Sequence, residues 1–115
     1  MRKIYHLSTC STCKRIIKSL NDGQGFELQD IKTNHITEEQ LDEIKENVGS
    51  YEALFSRRAM KYRSMGLGDK NLNEADYRQL ILDEYTFLKR PVVVIDGHFF
   101  VGNSKKVVEA AVAAL

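Results

Sequence analysis

The chain has 115 residues, 43% hydrophobic and 29% charged, which suits one compact domain and argues against a disordered or fibrous polymer. Lys plus Arg number 17 against 16 for Asp plus Glu, so no bulk field draws a polyanion and direct nucleic-acid binding is not expected. No segment approaches the ~20 apolar residues that span a bilayer, and Met1 to Leu7 lacks the apolar core of a secretory signal, so a cytoplasmic protein free of membranes is expected. In a reducing compartment its two cysteines would serve chemistry or metal rather than a structural bridge.

Lys3-Ile4-Tyr5-His6-Leu7 is a short β-type run followed by the polar cluster Ser8 to Cys13, which reads as strand, then loop. From Ser11, Ile16, Ile17 and Leu20 recur at helical spacing, Lys14, Arg15 and Lys18 take the other face, and Asn21-Asp22-Gly23 supplies a stop. Phe26 to Ile31 alternates apolar and polar residues, the pattern of a half-buried strand. These segments form a βαβ unit.

Thr37-Glu38-Glu39-Gln40 fits a capping box. It predicts a helix with Leu41, Ile44 and Val48 inward, ending near Gly49. Residues 50–65 read as helical again, with Tyr51, Leu54 and Phe55 apolar, and Asn73 caps a further helix carrying Tyr77, Leu80, Ile81 and Tyr85. Arg90-Pro91 then leads into Val92 to Ile95, and Asp96-Gly97 before His98 to Val101 is a strong hairpin signal. Ser104 starts a last helix with Val107, Val108, Ala111, Val112 and Leu115 on one stripe. The expected architecture is α/β: a single domain over 1–115, whose βαβ…ββα core and mixed sheet match the thioredoxin arrangement, with a helical insertion at about 37–86. Pro91, the only proline, stands before a buried-looking strand where thioredoxin-like proteins place a cis-proline.

Cys10-Ser11-Thr12-Cys13 lies between a strand and a helix, so the Cys10 sulfur faces the unpaired N–H groups of the first helical turn, around Ser11 and Thr12. Those donors, the helix-end charge and nearby Lys14 and Arg15 favour a thiolate, which makes Cys10 the expected nucleophile. Cys13, one turn on, can attack whatever forms on Cys10 and is the expected resolving thiol. A static crosslink is a poor alternative, since so short a loop removes only about 2 kcal/mol of unfolded-chain entropy. No metal site is expected: two thiolates need two further ligands, and His6, His35 and His98 form no ligand motif.

Arg57-Arg58-Ala59-Met60-Lys61-Tyr62-Arg63 concentrates four cations after an acidic stretch. It is either a solvated helical face or a source of guanidinium groups for an anion, with Arg58 and Arg57 as candidates. Arg90, beside Pro91, carries the same choice and is favoured as an anion clamp.

At this point the chain resembles the arsenate reductase family in its broad sense, which includes the Spx-type transcriptional regulators. The resemblance rests on the cysteine loop after the first strand, Leu54-Phe55-Ser56-Arg57-Arg58 with Tyr62 and Gly66-Leu67 downstream, Leu88-Lys89-Arg90-Pro91-Val92-Val93-Val94, and Val101-Gly102. It implies a thioredoxin-like fold, Cys10 as reactive cysteine, and Arg90 with Arg57 or Arg58 as anion-binding residues. Glutathione-coupled members use three arginines, the third of which falls at Asn103 here. The implied substrate is a small oxyanion or a thiol/disulfide, with glutathione, glutaredoxin or thioredoxin as electron donor and no bound cofactor. The Cys-x-x-Cys loop is also similar to that of the regulators, where it is a disulfide switch in a protein that contacts RNA polymerase. A glutaredoxin-like deglutathionylase is a third reading.

Overall fold

The computed structural model describes residues 1–115. The chain divides into two compact units, one formed by Met1–His35 with Arg90–Leu115 and the other by Ile36–Lys89.

The first unit holds the strands β1 (Arg2–His6), β2 (Glu27–Asp30), β3 (Val92–Ile95) and β4 (His98–Val101), with helices α1 (Ser11–Ser19) and α5 (Lys105–Ala113). Strand order is β2-β1-β3-β4, with β1 parallel to β2 and antiparallel to β3, and β3 antiparallel to β4. This is the expected thioredoxin-like βαβ…ββα order on a mixed sheet. The crossover from β1 to β2 runs through α1, the connection that a parallel pair requires. Ile4, Val93 and Ile95 pack with Ile16 and Leu20 of the α1 segment and Ala111 of α5, and Ile17, Phe26, Phe100 and Val108 extend that core.

Two tight turns fix the ends of these elements. Gly23 (φ +78°) follows α1, where a Cβ would stand 3.2 Å from Ile17 Cγ2. Asp96 and Gly97 (φ +49° and +87°) form the two-residue β3–β4 turn, whose paired left-handed residues match the twist of the hairpin.

Three local expectations change. Leu28 shares the Ile4 face, but β2 is an edge strand and Leu28 stays 47% exposed. Its neighbour Gln29 is buried instead and is satisfied by donating from Nε2 to the Asn34 carbonyl at 3.0 Å. In α5 the inward stripe runs through Val108, Ala111 and Ala114, which turns Val112 and Leu115 toward solvent.

The second unit contains α2 (Glu38–Val48), α3 (Met60–Ser64) and α4 (Glu74–Asp83) with three single helical turns at Glu52–Leu54, Leu67–Asp69 and Tyr85–Phe87. The Thr37–Gln40 capping box is present, and Asn73 with Asp76 forms another at α4. Arg78 of α4 donates from Nε to Asp42 Oδ1 of α2 at 2.9 Å and from Nη2 to Oδ2 at 3.1 Å, while the Tyr51 hydroxyl donates to Oδ1 at 2.6 Å. The Arg78 guanidinium and the Tyr51 hydroxyl pull the Asp42 carboxyl down to about 2.

Residues 50–65 are not one helix. A single turn at Glu52–Leu54 gives way to extended backbone at Phe55, and α3 covers only five residues. Tertiary pairing explains the break: Phe55 bridges Leu88, Ser56 N–H donates to the Phe87 carbonyl at 2.7 Å, and Lys89 N–H donates to that of Leu54 at 2.8 Å. Phe55 thereby becomes the centre of an aromatic cluster, its ring 4.9 Å from both Phe87 and Tyr77 and 6.0 Å from Tyr62.

Because the Phe55 ring is fully buried and touches three others, Phe55→Ala is expected to destabilise the protein by about 3–5 kcal/mol. Val112→Ala, at a half-open helix position, should change stability by less than about 1 kcal/mol. Denaturant unfolding of both variants checks the ranking.

Candidate active site

The chain reaches its cysteines through a tight turn. Cys10 N–H donates to the Leu7 carbonyl at 3.0 Å, closing Leu7-Ser8-Thr9-Cys10, and the Cys10 carbonyl accepts from Lys14 N–H at 3.1 Å as the first bond of α1. Cys10 is the N-cap of α1, in extended conformation (φ −93°, ψ 114°). The Cys10 side chain closes no cap hydrogen bond of ordinary geometry, but the Thr12 and Cys13 N–H groups lie close enough to the sulfur to favour its anion. Cys10 is partly exposed, and Cys13, on the inner face of the same turn, is buried; both are free thiols.

The two sulfurs are electrostatically opposite. Burial raises the Cys10 thiol, but hydrogen bonds from the Cys13 backbone N–H, the Cys13 thiol, the Thr12 backbone N–H and the Arg90 side chain outweigh it, and the net shift is downward. Burial raises Cys13 too, and there it prevails: against a backbone hydrogen bond at Leu7, the adjacent Cys10 charge and the hydrogen bond to Cys10 push it up to about 11. Of the two, the partly exposed Cys10 sulfur is the one whose anion is favoured, with the buried Cys13 thiol among its donors. The cation that acts on Cys10 is Arg90; Lys14 and Arg15, expected from sequence to help, lie exposed along the helix.

Arg90 acts on the sulfur from two residues before β3. The Arg90–Pro91 bond is cis, Pro91 is buried, and the Pro91 carbonyl accepts from Gly102 N–H at 2.9 Å. Cys10, Ser11, Thr12, Cys13, Arg90 and Pro91 thus all belong to the sheet-bearing unit.

Arg57 and Arg58 belong to the helical unit, where they differ. Arg57 is engaged: its Nη2 donates to Glu52 Oε2 at 2.8 Å and to the Tyr77 hydroxyl at 3.0 Å. Arg58 is exposed, with no such ties, and lines an open pocket of about 740 Å³ with Met60, Tyr62 and Arg63. No three His, Cys, Asp or Glu side chains gather where a metal ion could sit, and no helix is long and apolar enough to cross a membrane.

One contributor escaped the sequence reading. Asp30, at the end of β2, accepts from Ser8 two residues before Cys10. Neither residue belongs to a motif, and they meet only through the parallel pairing of β1 with β2.

The ArsC family model matches residues 5–111. This chain belongs to the ArsC family. An uncharacterised protein of Haemophilus influenzae is 25% identical over 115 residues, covering 98% of this chain and 100% of that one. The solution structure of an arsenate reductase (ArsC) related protein from Brucella melitensis is 29% identical, with a TM-score of 0.72 over 95% of this chain and 92% of the other. An arsenate reductase from Vibrio cholerae, 20% identical, shares the fold at a TM-score of 0.80, over 99% and 97% of the two chains. The ArsC match spans the cysteine loop and the Arg90–Pro91 segment together.

The charge-sharing geometry sets an expectation for each thiol. In Cys10→Ser the charge that raises Cys13 is gone while burial remains, so the ionisation midpoint of Cys13 should fall below about 11. In Cys13→Ala a donor to Cys10 is lost, so the Cys10 midpoint should rise toward the ordinary thiol range of about 8.5. Alkylation rates of the two single-cysteine proteins against pH give both values.

Proposed function

We propose that this ArsC-family protein is a thiol-dependent, arsenate-reductase-like oxidoreductase in which Cys10 is the nucleophile and Cys13 the resolving thiol. The observation that carries this reading is the pairing of a partly exposed sulfur with lowered pKa, held by helix N–H groups and Arg90, with a buried thiol of raised pKa in hydrogen-bond contact. A nucleophile needs the anionic form and access, and a resolving thiol needs proximity and protection from premature reaction.

With arsenate, the Cys10 thiolate displaces one oxygen, which leaves as water, and forms an S–As bond. Cys13 then loses its proton to the departing oxyanion and attacks the Cys10 sulfur. The S–As bond breaks with its electron pair staying on arsenic, arsenite leaves, and the Cys10–Cys13 disulfide remains. Arsenic gains the two electrons that the sulfurs lose. With a mixed-disulfide substrate, attack by Cys10 releases one thiol, and attack by Cys13 releases the second. An external thiol donor, glutaredoxin, thioredoxin or glutathione, returns two electrons to the pair.

Anion binding falls to the first-turn groups at Ser11 and Thr12 and to Arg90, which already neutralises charge at the sulfur. Of the two arginines in the helical unit, Arg57 is committed to Glu52 and Tyr77, and Arg58 is the one left to take an anion. A planar guanidinium suits an oxyanion because it donates two parallel N–H bonds.

Steady-state turnover tests the reading, with arsenate and a glutathionylated peptide each offered with glutathione–glutaredoxin and with thioredoxin. Cys10→Ser is expected to abolish turnover of every substrate, and Cys13→Ser to lower dithiol-dependent turnover by roughly a hundredfold. Peptide turnover that survives Cys13→Ser identifies a glutaredoxin-like deglutathionylase instead. No turnover at all, with RNA polymerase retained by only one redox form, replaces the enzyme by a redox-switched regulator. Arg90→Ala should raise the substrate KM about tenfold or more, the effect of removing a charge-assisted hydrogen bond, with the melting temperature little changed.

A further inference from the structure

The turn that presents Cys10 is fastened from outside at one place. Asp30 ends β2, in register with His6 of β1, and its carboxylate reaches across the sheet edge to the turn. Ser8 Oγ donates to Asp30 Oδ2 at 2.6 Å, and Ser8 N–H points at Oδ1 at 3.4 Å. Lys32 N–H donates to Oδ1 at 3.2 Å, so the carboxylate is itself held from its own strand end. These bonds, with the His6 charge nearby, keep the Asp30 carboxyl below its usual range.

Ser8 is the second residue of the Leu7–Cys10 turn. The turn's closing bond runs from Cys10 N–H to the Leu7 carbonyl, and Leu7 also supplies the backbone hydrogen bond at Cys13. Both sulfurs are therefore placed by a four-residue segment, of which one corner is the Ser8 side chain. Two of its residues, Ser8 and Thr9, are exposed and gain little from packing, so polar anchoring has to define the corner. A short charge-assisted O–H···O contact is the stronger kind of hydrogen bond.

We infer that Asp30, acting through Ser8, is a positioning residue for the Cys10–Cys13 pair: the clasp sets the turn that delivers the Cys10 sulfur to the helix N–H groups and keeps Cys13 within bonding distance. The inference rests on the proposed redox role of the two cysteines. Asp30 touches neither sulfur and takes no proton in the cycle. Its effect is on orientation, where small displacements are costly.

The variants Ser8→Ala, Ser8→Thr and Asp30→Asn test it. Ser8→Ala removes the Oγ donor, Ser8→Thr keeps a hydroxyl at an exposed position, and Asp30→Asn replaces one acceptor oxygen by a donor. Three quantities are read in each full-length protein: the pH midpoint of Cys10 alkylation, the equilibrium of the Cys10–Cys13 disulfide against a glutathione redox buffer, and the melting temperature. Ser8→Ala and Asp30→Asn are expected to raise the Cys10 midpoint and to weaken disulfide formation roughly three- to tenfold, the range that one hydrogen bond spans. Ser8→Thr is expected to restore both. If Ser8→Ala and Asp30→Asn match the native protein in midpoint and disulfide equilibrium, or change only the melting temperature, the clasp is structural and the inference is overturned, while the redox reading stands. If the native protein itself alkylates like an ordinary thiol and forms no Cys10–Cys13 disulfide, the redox reading fails and takes the inference with it.

Discussion

The opposite bias of two neighbouring sulfurs, one favoured as an anion by a helix end, an arginine and the adjacent thiol and the other disfavoured by burial, is the constraint on which the site depends. The groups that converge on Cys10, the N–H groups of Thr12 and Cys13, the Cys13 thiol and Arg90, each favour its anionic form. The Cys13 thiol is the complement. Sharing the turn with an anion raises the cost of ionising it, and burial does so further. The pair therefore titrates as a unit, in which assigning the charge to Cys10 follows from exposure and from the direction of the helix.

The sheet supplies the rigidity that this arrangement needs. β1 delivers the turn, β2 lies parallel to it and ends in Asp30, and the Arg90–Pro91 segment leading into β3 brings the arginine. Three neighbouring strands thus each contribute one element of the sulfur's surroundings, and their register fixes the contributions relative to one another. A slip of one residue between β1 and β2 would move Asp30 off Ser8 and turn its side chain to the other face. The core formed by Ile4, Val93, Ile95, Ile16 and Leu20 is what holds that register, so packing and site geometry are coupled through the strands.

Features written in local chemistry were legible in the sequence. The capping box at Thr37, the Asn73 helix cap, the Asp96–Gly97 turn and the Cys10 helix start each depend on residues within a few positions of one another, and each forms as the spacing predicts. Features that depend on distant partners were not. Residues 50–65 carry helical periodicity, but Phe55 is drawn into a bridge with Leu88, and propensity yields to the pairing. Gln29 reads as the polar face of β2, yet a carbonyl five residues on makes its burial tolerable. Between Arg57 and Arg58 the sequence offers no distinction; Glu52 and Tyr77 make one. Lys14 and Arg15 are near Cys10 in sequence, whereas the cation that lowers its pKa is Arg90, brought there by the fold.

The shared charge also gives the proposed cycle its order. Before substrate arrives, Cys13 is neutral and buried, and it cannot compete with Cys10 for an electrophile. Once the Cys10 sulfur has formed a covalent bond it carries no charge, and both influences it exerts on Cys13, repulsion of a second anion and acceptance of the thiol proton, end together. Burial still opposes ionisation, but the Leu7 hydrogen bond and the Arg90 charge, which favour the anion, are left in place. Cys13 thus becomes easier to ionise at the step that calls for a second nucleophile, and Arg90 is shared by both steps: it first offsets the charge of Cys10 and then that of Cys13.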